Sequence, residues 1–150
     1  MTRFIRTDSD NINFKNLVVM LDADLRERDG DEHAFYAQFN KIASIRNVVV
    51  CFVDEKAIGC GAFKVYDELK VEIKRMFVLP QYRGHGVAMK ILNELEIWAA
   101  ELNYLEYLLE TGKKQPEAIR LYKKAGYMIT ESYGQYLNVE NSVCMKKSVI

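Results

Sequence analysis

At 150 residues, 49% of them hydrophobic, the chain is long enough to bury one core and short of what two domains need, so one domain over residues 1–150 is expected. Lys plus Arg equals Asp plus Glu at 21 each, which excludes the strong overall field that would recruit nucleic acid or an anionic membrane surface. Cys51, Cys60 and Cys144 are odd in number and widely spaced in apolar runs, with only His33 and His85 as imidazoles, which speaks against a disulfide framework and against a metal site.

The chain opens on MTRFIRTDSD, which has no apolar signal core, and no later apolar run approaches membrane-spanning length. With reduced thiols, this makes a soluble, unprocessed, cytoplasmic protein the expectation. Thr2 to Thr7 reads as a short strand, and Asp8, Ser9 and Asp10 are residues that start helices. Phe14, Leu17, Val18, Leu21 and Leu25 keep a helical period up to Gly30, and a second short helix carrying Phe35, Tyr36 and Phe39 is expected from about Asp31. Asp22, Asp24, Glu27, Asp29, Asp31 and Glu32 crowd this region. Such a run is either a solvated face or an attractor for a cationic substrate.

Asn47 to Val53 is almost continuously apolar, as in a strand buried on both faces, and Asp54-Glu55-Lys56 turns out of it. Ala57 to Tyr66 returns antiparallel, and Leu69 to Val78 follows, with Val71, Ile73 and Phe77 at even spacing until Pro80 ends the strand. After the octet Gln81 to Ala88, Val87, Ile91, Leu95, Trp98 and Leu102 trace one apolar stripe of a long helix. Tyr104 to Leu109 is then a strand reached by a crossover, hence parallel to its neighbour. Thr111-Gly112 should break it. Pro116 opens a short helix with Ala118, Leu121, Tyr122 and Ala125 on one face, and Gly126 is its left-handed stop. Tyr127 to Glu131 and Ser142 to Lys146 read as two last strands around a polar loop with Gly134.

The octet has a physical reading of its own. Gly84 and Gly86 let the backbone turn sharply and approach a ligand, and the free N–H groups of the first helical turn point into the same space. The helix dipole and Arg83 add positive charge, which suits a phosphate or pyrophosphate. A glycine turn can equally be a tight strand-to-helix connection.

Two ordered motifs decide between these readings. Gln81-Tyr82-Arg83-Gly84-His85-Gly86 resembles the Q/R-x-x-G-x-G/A signature of the GNAT-superfamily N-acetyltransferases, in the right place between a strand and a long helix. Ala118 to Tyr127, AIRLYKKAGY, resembles that family's late A-x-x-L-Y-x-x-x-G-F/Y pattern. The resemblance covers most of the chain, leaving aside the first ten residues and the loop from Gly134 to Asn141.

The resemblance implies an α/β fold: a twisted mixed sheet of about seven strands, largely antiparallel, with a parallel V-shaped split and helices on both faces. It implies acetyl-CoA as donor co-substrate and no metal. Backbone amides of Gly84, His85, Gly86, Val87 and Ala88, with Arg83 and Gln81, would hold the CoA pyrophosphate, while the main chain of Met76, Phe77 and Val78 runs beside the pantetheine. Gln115 stands where the family often has Asn, and Lys124 is a further cofactor contact by the same resemblance. Tyr122 would be the general acid for the departing thiolate and Glu72 the base for the amine, with Glu110 or a water chain as substitutes. The spacing of Tyr122 also fits a core tyrosine, and Lys70 and Lys74 share the face of Glu72, as in a solvated charge ladder.

No cysteine occupies a motif position, so direct sequential transfer to an amine is expected. The acceptor is an unidentified small molecule or peptide, cationic if the acidic region attracts it; its pocket would lie between residues 10 and 42 and the loop near Gly134. No nucleic acid or membrane partner is implied, and a homodimer is open. A non-catalytic acyl-CoA sensor would keep the octet without acid or base. A nucleotide-binding module lacks G-x-G-x-x-G, because Met89 fills the third glycine's place.

Overall fold

Strand β1 (Thr2–Thr7) leads into a turn where Asp8 accepts from the Asp10 amide at 2.9 Å, and helix α1 (Ile12–Asp29) starts only after Asn11. Asn11 is the cap: its side chain accepts from the Phe14 amide at 3.0 Å, satisfying one of the unpaired donors of the first turn. The expected start at Asp8 to Asp10 is therefore corrected, since Asp8 is spent on its own turn. Phe14, Leu17, Val18 and Leu21 are buried as their spacing requires. The computed structural model describes residues 1–30 and 45–149, so the helix expected from about Asp31 lies outside the described residues.

The remaining elements are β2 (Asn47–Val53), β3 (Lys56–Val65), β4 (Lys70–Val78), α2 (Val87–Glu101), β5 (Glu106–Gly112), α3 (Pro116–Lys124), β6 (Met128–Thr130) and β7 (Ser142–Ser148). They form one seven-stranded sheet in the order β1-β2-β3-β4-β5-β7-β6. The interior of β2 is buried at every position, Val48 to Phe52, because α1 and α2 both pack on it and cover the two faces. Thr111-Gly112 does not break β5, contrary to expectation. Strand β7 pairs antiparallel along its whole length, from Glu106↔Ser148 to Gly112↔Ser142, and keeps both residues in the ladder.

All neighbours are antiparallel except β4 and β5, which pair parallel only from Lys70↔Glu106 to Ile73↔Leu109. Beyond Ile73, β4 follows β3 to Val78 while β5 follows β7 to Gly112, and the sheet opens into a V. A bulge lies at the point of opening. Cys60 pairs with Phe77 and Ala62 with Lys74, so Gly61 alone opposes Arg75 and Met76. Arg75 adopts φ 59°, a left-handed conformation costing a non-glycine residue about 1–2 kcal/mol. Its buried guanidinium is paired to Asp22 of α1, and its carbonyl accepts from Cys60 Sγ at 3.4 Å, which offsets that cost.

Helix α2 sits close on the sheet because β3 carries glycine beneath it. A Cβ on Gly61 would lie 2.4 Å from Met76 Sδ, 2.9 Å from Ile91 Cγ2 and 3.0 Å from Leu95 Cδ1. Ile91, Leu92, Leu95 and Ala99 form the buried stripe of this helix.

Candidate active site

The V between β4 and β5 holds a cleft of about 130 Å³. Its lining includes Glu72, Lys74 and Met76 of β4, Glu110 of β5, and Gln115 and Tyr122 at and within α3. Five of the residues singled out in the sequence, Glu72, Met76, Glu110, Gln115 and Tyr122, are thus brought together from three elements.

Glu72 is not part of a solvated ladder. It is 6% exposed, its Oε2 accepts from the Tyr133 hydroxyl at 2.7 Å, and its Oε1 lies 3.7 Å from Lys74 Nζ. The Lys74 side chain is equally buried, so the pair sits in a low-dielectric pocket where charges interact strongly. Burial pushes the Lys74 ammonium below its ordinary value, against the opposing pull of Glu72 and Glu110. On the neighbouring strand, Glu110 Oε2 accepts from the Ser142 hydroxyl at 2.6 Å.

Tyr122 is buried, and its ring meets Tyr127 edge-on at 5.9 Å. Burial first and Glu110 second hold its phenol well above the ordinary value, so it stays protonated throughout the neutral range. It therefore combines the packing of a core residue with a place on the cleft wall.

Tyr133 and Tyr136 were missed by the motif reading. Tyr133 caps and Tyr136 ends a short 3-10 turn, Gly134–Tyr136, with Gly134 at φ 52°. Tyr66, Tyr133 and Tyr136 stack edge to face in series, at 5.3 and 5.5 Å between ring centroids. The signal available was the spacing of tyrosines around Gly134; nothing local shows that it folds over Glu72.

The octet stands at the far end of β4. Gly84 and Gly86 both adopt left-handed φ, 84° and 80°, and a Cβ on either would meet nothing within 4 Å, so the turn faces open space. Gly86 caps α2 without a side chain, and the first intrahelical bond runs from the Lys90 amide to the Gly86 carbonyl, leaving the amides of Val87, Ala88 and Met89 without intrahelical acceptors. Gln81 and His85 are exposed, and Val87 and Ala88 are half-buried. Arg83 folds back: its Nε donates to the Val78 carbonyl at 2.7 Å, and its guanidinium lies 5.4 Å from the Phe77 ring centroid. It braces the turn against the strand. Phe77 and Val78 are buried, and past Ile73 the β4 edge toward β5 carries no ladder pairing.

Lys124 lies apart from the cleft, in a shallow hollow it shares with Met89, Lys90 and Lys147. Of the acidic region, Asp22 is engaged with Arg75 and Asp24 lies 3.5 Å from Arg28, so part of its charge is already neutralised. Cys51, Cys60 and Cys144 are buried free thiols. Among the described residues, no helix is long and apolar enough to cross a membrane, and no cluster of metal-ligating side chains is present.

The family model described as the acetyltransferase (GNAT) family matches residues 15–127. An IAA acetyltransferase of Azospirillum brasilense is 36% identical over 91 residues, 60% of either chain. The uncharacterised N-acetyltransferase YsnE of Bacillus subtilis is 35% identical over 98 residues, 64% of either chain. The chain thus spans less than two thirds of the length of these relatives. A solved structure of a Klebsiella pneumoniae protein, classed with the acyl-CoA N-acyltransferases, is 28% identical with a TM-score of 0.83, covering 100% of this chain and 99% of that one. The PaiA N-acetyltransferase of Thermoplasma acidophilum, solved with coenzyme A, shares the fold at a TM-score of 0.74 and 15% identity, covering 99% of each chain. The β4–β5 split, the glycine turn capping α2 and the match over residues 15–127 agree, and this chain belongs to the acetyltransferase (GNAT) family.

Proposed function

We propose that the protein moves an acetyl group from acetyl-CoA to a primary amine by direct transfer within the β4–β5 cleft. The observation that carries this reading is the meeting of a buried, protonated phenol, Tyr122, with two carboxylates, Glu72 and Glu110, in the lining of one cleft. Acetyl transfer needs a group to take a proton from the amine and another to give one to the departing sulfur, and these are present together.

In this reading the amides that open α2, Val87 and Ala88, hold the pyrophosphate with those of Gly84, His85 and Gly86, and Gln81 lies within reach. Arg83 contributes its charge from a braced position. The unpaired edge of β4, Met76 to Val78, hydrogen-bonds the pantetheine arm as an added strand would. Gln115 steadies the same arm, and Lys124 lies on the path toward the nucleotide end. An amide of the bulged strand polarises the thioester carbonyl as charge grows on its oxygen. Glu72, oriented by Tyr133, takes the proton of the amine, and Tyr122 protonates the thiolate. The fold neighbour solved with coenzyme A supports the choice of donor.

The test is an acetyl-CoA-consumption screen over amino acids, polyamines, aminoglycosides and peptide amines, beside a thermal-shift comparison of CoA with NAD. Stabilisation by CoA and turnover on at least one amine are expected. CoA binding without turnover on any amine would leave a sensor in place of an enzyme, and stabilisation by NAD alone would overturn the reading.

A further inference from the structure

We propose that Lys74 is itself an acetyl acceptor: its side-chain amine lies inside the transfer cleft beside Glu72, and the protein acetylates it from acetyl-CoA. The inference rests on the acetyl-transfer reading of the same cleft.

The placement is specific. An acceptor amine must stand near the base and within the wall that holds the general acid. Lys74 Nζ meets the first condition, 3.7 Å from Glu72 Oε1, and the residue meets the second, since it lines the cleft with Tyr122 and Glu110. Its side chain is 7% exposed, so it is withdrawn from solvent and held where the strands part, one residue before the bulge at Arg75. Exposed lysines such as Lys15 and Lys114 have no such setting.

The environment also favours the neutral amine that nucleophilic attack requires. Burial lowers the ammonium's proton affinity, Glu72 and Glu110 oppose the change, and Lys64 and Arg75 reinforce it. The ion pair with Glu72 supplies the acceptor for the proton that must leave.

The step balances. The Lys74 ammonium releases one proton to solvent to become the amine, whose lone pair attacks the thioester carbonyl carbon; the C–N bond forms and the C–S bond breaks. The second nitrogen proton passes to Glu72, the thiolate takes a proton from Tyr122, and solvent restores both side chains. The products are N-acetyllysine, CoA thiol and one proton, with no change of oxidation state.

Peptide mass spectrometry on the purified full chain, sampled over time with acetyl-CoA, tests the proposal. The peptide carrying Lys74 should gain one acetyl group roughly 10²-fold faster than peptides carrying Lys15 or Lys114, the scale of general acid–base help, and Glu72→Gln should remove most of that advantage. Lys74→Arg should erase the rapid single addition seen in the intact mass; should that variant not fold, the peptide map of the unaltered chain still decides. Lys74 unmodified, or acetylated no faster than Lys15 and Lys114, overturns the proposal. An amine panel run in parallel separates the two readings: turnover with Lys74 unmodified sinks self-acetylation alone, whereas neither turnover nor modification sinks both.

Discussion

The Tyr133 hydroxyl donates to Glu72 Oε2 at 2.7 Å, joining the loop before β7 to the middle of β4 across 61 positions of sequence. This bond satisfies a buried carboxylate and fixes its orientation toward the cleft. Tyr133→Phe leaves the ring contacts with Tyr66 and Tyr136 but removes the donor. Loss of a hydrogen bond to a buried charge should cost about 1–3 kcal/mol in urea unfolding, and kcat should fall with donor affinity unchanged. Unchanged stability and turnover would show that Tyr133 does not orient Glu72.

Tyr122→Phe tests the chemistry. It keeps the edge-on packing against Tyr127 and removes only the proton donor. Single-turnover measurements near neutral pH should show roughly a 10²-fold slower chemical step with acetyl-CoA affinity preserved. An unchanged chemical step, with at most a loss of thermal stability, would reduce Tyr122 to a core residue.

Gly86→Asp tests the glycine turn. A Cβ there meets no neighbour, so the fold should survive with a strain cost of about 1–2 kcal/mol from the left-handed φ. The added carboxylate beside the free amides of α2 should abolish acetyl-CoA binding in calorimetry. Retained micromolar binding by a folded variant would remove the octet from the donor site.

Gly61→Ala tests the seat of α2. The methyl group would stand 2.4 Å from Met76 Sδ and 2.9 Å from Ile91 Cγ2, so something must move. Overpacking of this kind typically costs about 1–3 kcal/mol, read as a lower urea midpoint. Because Met76 also lines the cleft, the KM for acetyl-CoA should rise with it. Full stability would mean that α2 shifts freely over the sheet.

Alkaline pH should unfold the protein steeply. Tyr122, Tyr127, Tyr133 and Tyr136 all have phenols raised by burial above their ordinary value, and burial pushes the Cys60 thiol up to about 12. The unfolded chain ionises these groups first, so the stability they confer is complete below the ordinary values and drains away as pH rises beyond them. For the tyrosines the loss begins near pH 10, at about 1.4 kcal/mol per pH unit for each phenol still protonated in the fold. The tyrosinate absorbance of these four residues should therefore appear together with loss of secondary structure. Early ionisation of all nine tyrosines in a folded protein would contradict the burial described.

Much of this was legible in the sequence because it was written locally. The glycine turn is a dihedral requirement of Gly84 and Gly86, two residues apart, and the apolar stripe from Ile91 to Ala99 is a period of one helix. The meander β2 to β4 and its parallel neighbour β5 followed from turn residues and one crossover, whereas the places of β1 beside β2 and of β7 between β5 and β6 did not. What could not be read depends on residues far apart in the chain. The continuation of β5 through Gly112 is imposed by β7, and the burial of Glu72 and Lys74 is imposed by Tyr133 and the α3 wall. The bulge was hidden for a different reason: alternation in β4 breaks at Arg75, a residue type that announces no left-handed turn. The Asn11 cap was overlooked because Asp8, Ser9 and Asp10 offered the same chemistry slightly earlier.

The parting of β4 from β5 also has a mechanical meaning. Ladder continuity between the two halves of the sheet passes through four residue pairs alone, Lys70↔Glu106 to Ile73↔Leu109. One leaf is β1 to β4 with α1 and the other is β5 to β7 with α3, while α2 ties them, its Glu96 accepting from Tyr127 at 3.0 Å and from Lys147 at 2.7 Å. In the proposed reading, a donor extended along the open edge of β4 would act as a splint between the leaves, so its grip and the rigidity of the cleft would be one property.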